Sequence, residues 1–153
     1  KMEKHTSAQR VTAIEDKLAI KFVLDEFSNL ADTKETDKQV LLFTEDGIVE
    51  SVIAGQPPTV LNGREQIKQA FSAFLADFET VYHQNGQQTI RLDGEKAETV
   101  SYCKVTLVGH QNEKQTKTTF YIIYRDSFVR IYSHWMISHR IADFVYQETV
   151  EVR

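Results

Sequence analysis

The hydrophobic period of this chain changes once, from helical in the first half to strand-like in the second, and that switch narrows the folds open to it. In "TSAQRVTAIEDKLAIKFVLDEFSNLAD", Ile20, Val23, Leu24, Phe27, Leu30 and Ala31 recur at helical spacing and gather on one stripe. Thr6 with Gln9 makes a capping box, so a helix over about residues 8–31 is expected. "TKETDKQVLLFTEDG" reads as a short helix with Val40, Leu41 and Phe43 facing the core, and "GIVESVI" as a strand. "AGQPPTVLNG" holds both prolines and reads as a loop. A third helix runs through "REQIKQAFSAFLADF". Asn62 is its N-cap, Glu65 completes a box, and Ile67, Ala70, Phe71, Phe74 and Leu75 form the buried face.

After Phe78 the pattern is β. Asp93-Gly94 signals a tight turn and "QNEK" at 111–114 a weaker one, dividing strands near 80–92, 96–110 and 116–130. A last strand runs from Trp135 to about Tyr146, so the meander spans about residues 80–146. Helix, helix, strand, helix and then four strands make an α+β fold, with the helices packed on one face of a curved sheet. The strand "TTFYIIYRD" is apolar at both parities, with Phe120, Ile122 and Tyr124 on one face and Tyr121 and Ile123 on the other. A strand buried on one face alternates instead. Helices can cover one face only, so a homodimer through the open face of the sheet is expected.

Composition excludes several functions. A length of 153 residues without linker or repeat is one domain's worth, taken as residues 1–153. A net charge of −4 gives no footprint for nucleic acid, and no basic helix suggests a membrane surface. No apolar run is long enough for a bilayer, and no secretory leader is recognisable. The only cysteine, Cys103, cannot form an internal disulfide. A cytoplasmic protein without membrane or nucleic-acid partners is expected. The five histidines show no pair at metal-ligand spacing, and no glycine-rich phosphate loop is present, so neither metal nor cofactor is expected.

Three segments carry a family resemblance: "LADTKETDKQVLLFTEDGIVES", "HQNGQQTIRLDGEKAETVSY" and "YRDSFVRIYSHWMISHR", the last with Tyr124, Asp126, Arg130, Trp135, Ile137 and Arg140. In order and spacing they resemble the nuclear transport factor two-like superfamily and, within it, the polyketide-cyclase-like (SnoaL-like) domains. The resemblance implies a cone: a strongly curved, mostly antiparallel sheet with three helices from the N-terminal half on its concave side, closing a largely apolar pocket. Members include scytalone dehydratase, a bile-acid dehydratase, ketosteroid isomerase, polyketide cyclases and the small subunits of ring-hydroxylating dioxygenases. The dehydratases pair an aspartate with a histidine to move a proton beside a carbonyl, and those positions match Asp32 and His83. The family's helix tyrosine falls at Phe27, and a second histidine of scytalone dehydratase falls at Cys103. Both departures remove a hydrogen-bond donor.

Read from the residues, Asp32 has a structural alternative: with Glu35 it can cap the second helix. His83 suits proton shuttling near neutral pH, or is an ordinary strand histidine. Phe27, Phe71, Phe74, Phe120 and Tyr124 would wall a site for a small apolar ligand, with Cys103 beside them as a small buried hydrophobe. Arg140 is expected to pair with Asp126. Two functions follow: a cofactor-independent lyase or isomerase acting on an apolar oxygenated ring compound, or a non-catalytic ligand-binding or assembly module like a dioxygenase small subunit.

Overall fold

The computed structural model describes residues 4–152. Helix α1 (Ser7–Asp32) opens on the expected capping box: the Gln9 N–H donates to the Thr6 hydroxyl at 3.1 Å, and the Thr6 N–H donates to Gln9 Oε1 at 2.8 Å. Its buried residues include Ile20, Val23, Leu24, Phe27 and Ala31 from the stripe read from spacing, while Leu30 of that stripe is half-buried. Helix α2 (Thr36–Gln39) passes into a 3₁₀ turn (Val40–Leu42). Val40 and Phe43 are buried there, but Leu41 is 57% exposed, which corrects its expected core position. In a 3₁₀ turn residues three apart eclipse, so Val40 and Phe43 share a side and Leu41 is turned away.

Strand β1 (Phe43–Ile53) pairs antiparallel with β2 (Thr59–Asn62). The segment read as a loop is therefore half strand. Pro57 and Pro58 donate no ladder N–H, so pairing begins only after them. Helix α3 (Gly63–Ala76) follows with Asn62 as N-cap, but its side chain makes no cap bond and the box with Glu65 does not form. Instead the Asn62 N–H donates to Gln66 Oε1 at 2.8 Å. Gly63 stands at φ +83°, a left-handed turn that takes the chain out of the box geometry.

The remainder is the meander: β3 (Thr80–Asp93), β4 (Lys96–Gln111), β5 (Lys114–Ile131) and β6 (His134–Val152). Each connection has two residues. Asn112 and Glu113 take φ 51° and 67°, and Tyr132 and Ser133 take 49° and 69°, the primed-turn conformation that matches strand twist. The sheet order is β2-β1-β6-β5-β4-β3, antiparallel throughout except for the parallel pair β1–β6. The chain thus forms an α+β fold: three helices on a curved, unclosed, mostly antiparallel sheet.

Arg130 fastens α1 across the sheet. It donates to Asp16 Oδ1 at 2.9 Å and to both Glu95 oxygens, while Trp135 Nε1 also donates to Asp16. Alternation along the strands turns Tyr121 and Ile123 to the face away from the helices, beside the exposed Tyr82, Tyr102 and Val145. Among the described residues, no helix is long and apolar enough to cross a membrane.

Candidate active site

Asp32 is the last residue of α1, and His83 lies near the start of β3. The Asp32 carboxylate accepts the His83 backbone N–H at 2.9 and 3.1 Å and meets His83 Nδ1 at 2.7 Å. The alternative role for Asp32 is thereby corrected: the N-cap of α2 is Glu35, which makes no side-chain cap bond, and the Asp32 carboxylate is spent on His83 instead. A carboxylate at a helix C-terminus faces the negative end of the macrodipole, a cost of about 0.3–1 kcal/mol that the donors from β3 offset. The neighbouring contacts tie the same two elements. The Ser28 hydroxyl donates to Asn85 Oδ1 at 3.1 Å, and Asn85 Nδ2 donates to Asp25 at 3.2 Å. Asn85 precedes the irregularity in β3–β4 pairing, so the register around His83 is pinned from α1.

The His83 side chain is 8% exposed and lines a cavity of about 360 Å³. Because a carboxylate only accepts, Nδ1 carries the proton toward Asp32, and a neutral ring then presents Nε2 as its basic nitrogen. Phe27, Phe71, Phe74, Phe120 and Tyr124 all line the same space. Phe27 meets Phe71 and Tyr124 edge-on, at centroid distances of 5.9 and 6.2 Å. Phe74, expected on the buried face of α3, is instead 46% exposed, since of that face only Ile67 and Leu75 are fully buried. Its ring stacks on Phe120, which meets Phe144 edge-on. Burial pushes the Tyr124 hydroxyl well above its ordinary range, so it stays protonated and can donate.

Cys103 departs from the expected set. It is not among the residues around this cavity; it borders a groove of about 450 Å³ with Tyr102, Lys104 and Tyr121. Its thiol is buried against the core of β4 and β5 and pushed up to about 11, chiefly by burial. The reason is position along the strand: Val105 and Leu107, further along β4 at the same parity, reach the cavity, whereas Cys103 sits level with Asn85 at the β3 irregularity.

Polar residues that were not expected at the cavity are Arg140, Gln39, Ser51 and Thr59, the last two from β1 and β2. Arg140 pairs with Asp126 as the sequence suggests, Nε to Oδ1 at 2.8 Å and Nη2 to Oδ2 at 2.9 Å, both side chains fully buried. It also lines the cavity, between the rings of Phe27 at 4.1 Å and Tyr124 at 3.9 Å, and its Nη1 has no partner among the described residues. Burial pulls the guanidinium down, but the Asp126 carboxylate more than offsets this, so Arg140 is a fixed cation. The parity Arg140, Ala142, Phe144 along β6 was the signal for it. Gln39, at the end of α2, also lines the cavity, and no sequence signal marked it. Elsewhere, His139 faces Glu50 at 3.2 Å, and His110 pairs with Glu79 at the surface. No three His, Cys, Asp or Glu side chains converge as metal ligands among the described residues.

Comparison with known proteins agrees with this architecture. An uncharacterized protein of Mycobacterium tuberculosis, Rv2910c, is 28% identical over 139 residues, covering 90% of this chain and 91% of its own. A candidate scytalone dehydratase from Novosphingobium aromaticivorans superposes with a TM-score of 0.78 at 20% identity, covering 94% of this chain and 93% of that one. A hexachlorocyclohexane dehydrochlorinase superposes with a TM-score of 0.79 at 12% identity, covering 92% and 93% of the two chains. At such identities the structural likeness speaks for the fold alone. The SnoaL-like domain model matches residues 12–141, most of the chain, and the protein therefore belongs to the SnoaL-like domain family.

Proposed function

We propose that this protein binds a small, largely apolar, oxygenated ring compound in the cavity and moves a proton on it without a cofactor, as a lyase or isomerase. The observation that carries the reading is the Asp32–His83 pair, with Nδ1 held at 2.7 Å and the imidazole on the cavity wall. In this mechanism His83 Nε2 takes a proton beside a carbonyl, and Asp32 orients the ring and stabilises the imidazolium that forms. Charge developing on the carbonyl oxygen needs donors. Phe27 and Cys103 supply none, and Arg140 Nη1 is an unpaired cationic donor on the same cavity among the described residues. Family membership supports the coarser statement, a small-molecule-binding protein of the nuclear transport factor two-like type. The name of the dehydratase-like neighbour is in keeping with the finer one. In the same reading the chain works as a cytoplasmic homodimer, joined through the sheet face that bears Tyr121 and Ile123.

The test needs no knowledge of the substrate. Exchange of the α-protons of 2-tetralone into D₂O, followed by NMR, reports proton abstraction directly. The parent accelerates it, and His83→Gln loses roughly 100- to 10,000-fold of that acceleration. Binding of 2-tetralone with no acceleration would favour the non-catalytic ligand-binding module instead.

A further inference from the structure

Gln39 is 1% exposed, and its amide is half satisfied. Nε2 donates to the Phe27 carbonyl at 3.1 Å. That bond fixes which way the amide faces, because turning it over would set Oε1 against a carbonyl oxygen, acceptor against acceptor. The atom left over is therefore Oε1, buried and without a partner among the described residues, on a side chain that lines the cavity. An acceptor buried without a donor costs about 1–3 kcal/mol, and a donor brought to it by a bound molecule relieves that cost. Arg140 Nη1 is the complementary case, a buried donor without an acceptor on the same cavity. The cavity volume lies in the usual range for small ligands.

We infer that Gln39 is a specificity residue: its Oε1 accepts a hydrogen bond from a hydroxyl of the bound ring compound. The ligand class is thus a phenol or enol rather than a bare hydrocarbon or an ether. This rests on the cavity being a small-molecule site, as proposed above. A ring without the hydroxyl enters the same apolar walls but leaves Oε1 unpaired, and that difference is the discrimination. The acceptor also disfavours a ligand that would present an anionic oxygen at this wall, whereas Arg140 takes an oxygen at its own.

The experiment compares 2-naphthol with 2-methoxynaphthalene by calorimetry on the full chain. The two share ring and oxygen and differ in the donor. The parent should bind 2-naphthol roughly tenfold to a hundredfold more tightly. Gln39→Met keeps length and loses the acceptor, so it should bring 2-naphthol down to the affinity of the ether and leave the ether unchanged. Should Gln39→Met fail to fold without its Phe27 bond, the parent still decides: the Gln39 side-chain amide resonances shift with 2-naphthol and not with the ether. Equal binding of both probes by the parent, or discrimination that survives Gln39→Met, overturns the role of Gln39 and leaves the cavity reading standing. Binding of neither probe overturns both.

Discussion

At the scale of single residues, burial sets the chemistry that each side chain can perform. Cys103 shows this most simply. Its thiol is pushed up to about 11 from 9.0, chiefly because burial disfavours the thiolate. The folded state therefore resists ionising it more than the unfolded chain does. Stability from this source is whole below about pH 9 and is lost as the pH rises toward about 11. Over that window the parent should lose up to about 2–3 kcal/mol more stability than Cys103→Ala, measured by urea unfolding at each pH. Parallel pH profiles for the two proteins would contradict the assigned burial. The Arg140–Asp126 pair obeys the opposite rule. Both partners are charged and out of water, so each is tolerable only while the other remains.

At the scale of elements, the joints are less legible than the elements they connect. The stripe of α1 and the order of strands β3 to β6 follow from side-chain periods and turn signals. Strand β6, however, runs on to Val152, past the end expected near Tyr146, because it stays paired with β5 as far as Gln115. Where two elements meet, the decision passes to one or two backbone angles. Gly63 joins β2 to α3 at φ +83°, and a Cβ there would have space, 3.5 Å from the Glu45 carbonyl oxygen. The penalty for Gly63→Ala is thus conformational rather than steric, about 1–2 kcal/mol. Thermal unfolding should show that loss as a lowered midpoint. A neutral Gly63→Ala would mean that the β2–α3 joint relaxes to another conformation. Leu41 belongs to the same class: one residue of 3₁₀ geometry decides which of three apolar side chains, Val40, Leu41 or Phe43, is left outside.

At the scale of the whole molecule, the sheet has one covered and one uncovered face. Tyr82, Tyr102 and Val145 are exposed, Tyr121 and Ile123 are half buried, and the rings of Tyr121 and Tyr146 lie 5.6 Å apart. These apolar side chains share the face with Lys104, which lies over the Tyr121 ring, and with the Arg125–Asp143 pair, and an interface between copies would remove them from water. Sedimentation equilibrium at micromolar concentration should give a dimer for the parent and a monomer for Tyr121→Glu combined with Ile123→Lys. Both substitutions point away from the cavity, so binding of 2-tetralone should persist in the monomer. A parent that sediments as a monomer would rule the dimer out.

What the sequence by itself determined is whatever depends on local repetition: the switch of period, the helix stripe, the turn at Asp93-Gly94 and hence the α+β class with its meander. The resemblance added Asp32 and His83, which are 51 positions apart in the chain and which no local pattern connects. Only the tertiary structure decided that the Asp32 carboxylate turns to β3 rather than to α2, since both offered it backbone N–H groups. It likewise decided that Cys103 falls outside the cavity while Gln39 and Arg140 fall on it. The physical reason is that a cavity wall is assembled from elements distant in sequence. A side chain's period says which face it takes, but the bend of the sheet and the seat of the helices decide which stretch of that face is left open.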